Sequence, residues 1–314
     1  MRRLRGDLVG DEGGVAFGPR RARTRDETRE GCVEETKDDR MAAPSTGDTL
    51  VLTVSYDGAG FSGFAAQERQ THVRTVAGEL TRALRVLMRR DVALTCAGRT
   101  DAGVHARSQV VSVPLTAEET ARLAGAGAGR LMRSLDAILP DDVSVRACHR
   151  ARPGFSARFD ALARTYRYRI AVGPRPVFGA HWAWWLRGVD DLDLPAMRVA
   201  AGHLVGEHDF KTFCKTASAQ GKPTCRHVEA IDLTRSCQLG EDQIVMQIVG
   251  NAFLHNMVRA IMGTLVEVGR GRRDPDWVAE ALRARDRSRA GQTAPACGLT
   301  FWDVRYPSGS FRPW

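Results

Sequence analysis

Cys96-Ala-Gly-Arg99-Thr100-Asp101-Ala-Gly-Val-His105-Ala106 gathers an arginine, a hydroxyl, a carboxylate, a histidine and two glycines into one short run. Val92–Cys96 enters it and Gln109–Val113 leaves it. Both flanks are rich in β-branched residues and bounded by polar breakers, so both are predicted strands. The run is then a loop between two anchored strands, where a rigid scaffold can present reactive groups. Gly98 and Gly103 permit backbone angles closed to other residues and the close approach of a bulky ligand. Asp101, between them, is the only carboxylate of the run. Taken alone, an Asp-Ala-Gly of this kind is explained by a polar turn in which Asp101 and Thr100 cap their own backbone. The surrounding chain decides between the two readings.

Moving outward, Leu50–Tyr56 predicts a buried strand ending at Asp57-Gly58. Val76, Leu80, Ala83, Leu84 and Leu87 follow helical spacing, with Thr75 as the cap. Ala124–Gly129 fails the G-x-G-x-x-G spacing and follows no buried strand, so it is expected to be a link before a helix over Leu131–Leu139. Val143–Ala147 then resumes the sheet. In Arg164–Ile170, alternation puts Tyr166, Tyr168 and Ile170 on one face and Thr165, Arg167 and Arg169 on the other. Trp182, Trp184 and Trp185 read as core or subunit interface.

A second half begins at Leu192, with a helix over Ala196–Leu204 and a loop carrying Lys211, Lys215, Lys222 and Arg226 as a phosphate-contacting edge. Val228–Thr234 and Ile244–Val249 are predicted to pair. Phe253, Leu254, Met257, Val258, Ile261, Met262 and Leu265 form an apolar helical stripe, with Arg259 on the opposite side near His255, Asn256 and Gly263. Trp277–Arg285 is a short helix and Gly298–Val304 a closing strand.

The chain has 314 residues, 46 Lys+Arg against 37 Asp+Glu, a formal charge of +9 and 7 cysteines. Its length allows one large core or two smaller ones without disulfides. The basic excess favours a polyanionic partner. An odd number of cysteines without a C-x-x-C pair reads as reduced thiols in a cytoplasmic protein. His208, Cys214, Cys225 and His227 match no common zinc spacing, so no metal is expected. No apolar run has the length of a membrane span. Residues 1–45 are polar and aperiodic and read as a disordered extension, with Met41 as an alternative start.

Gly98–His105 resembles the catalytic signature of the tRNA pseudouridine synthase A family. The resemblance runs from about Leu50 to Tyr306 and returns in Tyr56-Asp57-Gly58, Phe155–Phe159, Arg164–Tyr168 and Asn251–Arg259. It implies a cofactor-free isomerase that converts uridine to pseudouridine at positions 38 to 40 of the tRNA anticodon arm. It also implies a cytoplasmic homodimer. The implied fold is α+β, with two sheet-and-helix, ferredoxin-like halves (46–160 and 161–314) side by side and the active-site cleft between them. By the same resemblance Asp101 is the nucleophile, and Arg99, Thr100 and His105 contact the RNA. Tyr166 stacks on the base, and Arg259 pairs with Asp101 through two parallel hydrogen bonds. Phe64 and Ala65 stand where the family usually carries a Gly-Trp-Gln run, and Ala77 replaces a glutamine common there.

Two rivals come from other classes. One is a non-catalytic RNA-binding protein, which would have lost Asp101 or Tyr166. The other is a hydrolase using Asp101 and Asp57 as a carboxylate pair. A narrower rival keeps the chemistry and changes the RNA site.

Overall fold

β-Branching and burial on both faces make Thr49–Tyr56 the first strand, β1, of the computed structural model, which describes residues 47–65 and 73–314. The extension over 1–45, Met41 included, lies outside the described residues. The first half continues with α1 (Val76–Met88), β2 (Thr95–Cys96), β3 (His105–Pro114), α2 (Ala117–Leu123), α3 (Gly127–Ile138) and β4 (Val143–Ala151). The second contains β5 (Ala163–Ala171), β6 (Trp184–Trp185), α4 (Leu194–Gly202), β7 (Gly206–Asp209), α5 (Thr216–Ala219) and β8 (Cys225–Gln238). It closes with β9 (Glu241–Gly250), α6 (Met257–Gly269), α7 (Trp277–Ala284) and β10 (Leu299–Arg305).

The fold is α+β, and its two halves share one mixed sheet in the order β4-β1-β3-β10-β5-β9-β8-β7. The last strand of the chain joins them. β10 pairs antiparallel with β5 but parallel with β3, where Thr300 and Phe301 meet only His105 and Ala106. That narrow seam fixes the end of the Cys96–Ala106 run at the middle of the sheet. Thr75 caps α1 by accepting from the Gly78 amide. Leu80 and Leu84 of that helix are fully buried, each contributing about 1.5–3 kcal/mol.

Two expectations need correction. The link over Ala124–Gly129 is helical from Gly127, because burial of Leu131 and Leu135 overrides the glycines of the first turn. The short α2 before it opens on a reciprocal capping box of Thr116 and Glu119, a four-residue signal legible in the chain. The stripe from Phe253 is not one helix either. Asn256 is left-handed at φ 66 and α6 begins only at Met257. Asn251 Oδ1 accepts from the His227 and Ala252 amides, which holds the residues before the helix in a turn.

Candidate active site

The loop between β2 and β3 is braced from several directions. The Phe64 amide donates to the Thr100 carbonyl at 3.0 Å, and Gln109 Nε2 donates to the Gly98 carbonyl at 2.7 Å. Thr100 Oγ1 shares a 2.7 Å hydrogen bond with the Tyr56 hydroxyl, so this buried threonine holds the loop in place. Gly103 turns the chain at φ +77, a conformation that side chains rarely adopt. What projects from this frame is Asp101.

The loop forms one wall of a cleft of about 1070 Å³ over the middle of the sheet, bordered also by α1, β5 and residues 252–259. Asp101, Arg99, Thr100, Tyr166 and Arg259 all line it. Among the described residues, the charged lining is five arginines, at 99, 158, 164, 226 and 259, against the single carboxylate of Asp101. Such a surface is complementary in charge to a polyanion.

Asp101 is 32% exposed, with His255 Nε2 3.3 Å from Oδ1 and Arg259 Nη1 3.6 Å from Oδ2. The two parallel hydrogen bonds expected from Arg259 are not formed. Its Nε donates to the Ala294 carbonyl at 2.7 Å and its Nη1 to Asn256 Oδ1 at 3.0 Å. The left-handed turn at Asn256 brings that amide under the guanidinium. The segment before Ala294 lies directly against α6, where a Cβ on Gly263 would come within 1.8 Å of the Gln292 carbonyl. Arg259 therefore stands beside Asp101 as a fixed charge rather than a fork.

Tyr166 lies between Phe253 and Phe301, both edge-on, at 5.1 and 5.0 Å between centroids. Each such contact adds about 0.5–1.5 kcal/mol beyond area burial. Burial, with Tyr56 and Asp101 nearby, pushes the Tyr166 hydroxyl well above its ordinary value. The phenol is therefore neutral at physiological pH and can donate a proton in a hydrogen bond. His255 and Arg164 were not among the expected site residues. Arg164 gives Nε and Nη2 to the Ala97 carbonyl at 3.1 and 3.0 Å, and Nη1 to the Asn251 carbonyl at 2.6 Å. It ties the loop to the turn before α6. Its signal was available, because it shares the alternation face of Tyr166 and Tyr168, where a charge is out of place. Arg226, expected on a phosphate-contacting edge, lies at this cleft, with its Nε buried and unpartnered.

The structure does not bring His105 to this cleft. Its ring is on the other face of the sheet, with Nδ1 3.0 Å from Asp57 Oδ1 and 3.1 Å from the Gly58 amide. The two residues border a separate cavity of about 460 Å³ with Trp182 and Trp302. Burial holds the His105 pKa below its ordinary value, partly opposed by Asp57. Burial would raise the Asp57 carboxyl, but the Ala59 amide, the Trp182 indole and His105 hold it below the usual range. Among the described residues no group of three or more His, Cys, Asp or Glu could hold a metal ion. No helix among them is long and apolar enough to cross a membrane.

Comparison with known proteins gives the family. The family model described as tRNA pseudouridine synthase matches residues 200–307. The tRNA pseudouridine synthase A of Francisella tularensis subsp. novicida (strain U112) is 36% identical over 264 residues, spanning 83% of this chain and 95% of the relative. That of Anoxybacillus flavithermus (strain DSM 21510 / WK1) is 38% identical over 260 residues, spanning 82% and 98%. Among solved structures, the archaeal box H/ACA sRNP Nop10-Cbf5 complex overlaps 69% of this chain and 44% of that one at 10% identity. The TM-score is 0.31, too low to bear on the site.

Proposed function

This chain belongs to the tRNA pseudouridine synthase A family and is an isomerase that makes pseudouridine in tRNA; from that premise we propose that it acts on positions 38 to 40 of the anticodon arm with Asp101 as nucleophile. One observation carries the reading: among the described residues, a lone carboxylate beside a buried tyrosine ring in a cleft otherwise lined by guanidiniums. In this reading both halves, 46–160 and 161–314, contribute walls. A uridine within a stem must leave its stack to reach the floor of such a cleft. Arg99 holds the extruded nucleotide and Tyr166 lies against its base.

Attack by the Asp101 carboxylate lets the N1–C1′ bond break while the base stays enclosed. The uracil turns, C5 joins C1′, and the carboxylate leaves. C5 loses a proton and N1 gains one, so the product is an isomer and nothing is oxidised or reduced. No cofactor is required by that balance. The hydrolase reading needs a second carboxylate near Asp101, and Asp57 borders the other cavity. The non-catalytic reading needs the loss of Asp101 or Tyr166, and both are present in the cleft.

A second reading, the same chemistry at another uridine, is favoured by one observation. Phe64, Ala65 and Ala77, the positions that depart from the usual family residues, all border the cleft. Mapping pseudouridine in total tRNA from cells with and without the gene decides between them. Loss at positions 38 to 40 is expected, and loss elsewhere with those positions intact would move the target. Phe178, Trp182 and Leu239 are exposed around the opposite-face cavity and support a homodimer, which sedimentation will test. No disulfide joins the six described cysteines, which supports a cytoplasmic location.

A further inference from the structure

His255 has no part in the scheme above, yet the structure gives it contacts on both ring nitrogens. Its Nε2 lies 3.3 Å from Asp101 Oδ1, and its Nδ1 lies 2.9 Å from Ser218 Oγ. Ser218 belongs to α5, and the Lys215 amide just before that helix donates to the His255 carbonyl at 3.1 Å. Both the ring and the backbone of His255 are therefore held by one short strap across the cleft rim.

We propose that His255 is a positioning residue for Asp101, kept with its proton on Nε2 by Ser218; this rests on Asp101 being the nucleophile. A carboxylate oxygen only accepts, so Nε2 must carry a hydrogen to stabilise it. In neutral imidazole that leaves a lone pair on Nδ1, which needs a donor. The Ser218 hydroxyl supplies one. When the ring is protonated, the same hydroxyl turns round and accepts. Ser218 thus preserves one ring orientation in both charge states.

The effect on Asp101 is geometric. A carboxylate that can rotate about Cβ–Cγ presents its oxygens to substrate in many orientations. With His255 on Oδ1 and the fixed Arg259 charge on the side of Oδ2, its plane is held. Attack on an enclosed nucleotide is sensitive to such alignment, where a misplacement of about 1 Å costs on the order of 100-fold in rate. Without Ser218, the neutral ring can place its hydrogen on Nδ1 and turn a lone pair towards a carboxylate. That arrangement is repulsive and releases Asp101.

The test measures kcat and KM by tritium release from C5-labelled uridine in tRNA. His255→Ala should lower kcat by about 10- to 100-fold while KM for tRNA stays near the wild-type value. His255→Gln keeps an N–H donor at similar reach and should recover most of that loss, which a purely space-filling role does not explain. Imidazole ¹⁵N spectra should show His255 as the Nε2–H tautomer, with a mixture in Ser218→Ala. Asp101→Asn is run alongside. If it retains turnover, the nucleophile reading falls and this inference with it. If Asp101→Asn is inactive while His255→Ala keeps its kcat, or Gln rescues no better than Ala, only the positioning role is overturned. Unchanged tautomer spectra in Ser218→Ala would overturn the part assigned to that serine.

Discussion

Asp57 and Asp101 both stand at turns beside glycines, close to the same central seam, yet the fold gives them opposite surroundings. Asp57 receives hydrogen bonds from the Ala59 amide and the Trp182 indole and sits 3.0 Å from His105. Those two bonds tie the turn after β1 to the segment carrying Trp182. Asp101 has two cationic or cation-capable neighbours, at 3.3 and 3.6 Å, and a third of its side-chain surface open to a cleft. Those distances exceed an ordinary charge-assisted bond of about 2.7–2.9 Å. Asp57 is as open to solvent as Asp101, so what separates the two is what each faces: Asp57 borders the cavity with Trp182, and Asp101 the arginine-lined cleft. Asp57 accepts two hydrogen bonds from its own fold, whereas Asp101 is flanked by His255 and Arg259 at longer range.

The largest effect should separate the two aspartates directly. Asp101→Asn replaces a charged oxygen with an amide of nearly the same shape and far lower nucleophilicity. Turnover should fall by about 10³-fold or more, with tRNA affinity retained. Asp57→Asn should leave turnover within about two- to threefold, the scale of a substitution outside the reacting groups. Equal losses in the two variants, measured by tritium release, would erase the distinction.

Arg259 comes next, because it is the fixed charge on the Asp101 side of the comparison. Arg259→Met removes that charge and the donors to Ala294 and Asn256, and kcat should drop by about 100-fold. Arg259→Lys retains charge but cannot reproduce both of those bonds, so its loss should be smaller and accompanied by lower stability. A lysine variant as impaired as methionine would mean that the planar guanidinium, and not its charge, is what Asp101 needs.

The contrast between the two faces was only partly legible in the chain. Alternation over Arg164–Ile170 correctly separates Tyr166 from Arg167 and Arg169, since strand period is a local property. Thr75 was legible as a cap for the same reason. The parallel pairing of β10 with β3 joins residues about two hundred positions apart, and no local pattern encodes it. Because that seam decides which way the Cys96–Ala106 run faces, His105 could not be assigned to the far side in advance. Arg259 was legible as lying off the apolar stripe, but its bonds to Asn256 and Ala294 depend on a left-handed turn and a distant segment. His255 was passed over because its ring acquires meaning only when the strap carrying Ser218 is folded onto it.

A smaller effect belongs to Tyr166, whose ring is held between Phe253 and Phe301 at the floor of the cleft. Tyr166→Ala should weaken tRNA binding by about 1–3 kcal/mol, the scale of one base–aromatic contact. Tyr166→Phe keeps the ring and should bind near the wild-type level. If the two bind equally poorly in a filter or fluorescence assay, the ring is not the platform for the base. If phenylalanine also keeps full turnover, the hydroxyl has no part in the reaction.

The smallest effect lies on the Asp57 side, in the stability of the Asp57–His105 pair towards acid. Burial depresses the pKa of His105 in the folded chain. Below the ordinary histidine value of about 6.5, the unfolded chain therefore binds the extra proton first, and stability falls as pH drops towards the folded value. Asp57 is also depressed on folding. Its contribution is complete above the ordinary aspartate value of about 3.9 and is lost lower down, as pH falls through its folded value. Acid should thus destabilise the pair in two separate windows. His105→Gln should flatten the decline of Tm in the upper window relative to wild type. Asp57→Asn should do the reverse there. Asp57 partly offsets the burial of His105, so removing its charge depresses the histidine further and widens the upper window while removing the lower one. Parallel Tm–pH profiles for wild type and Asp57→Asn would show that the two groups are not coupled, and the structural part given to Asp57 in the comparison would fall.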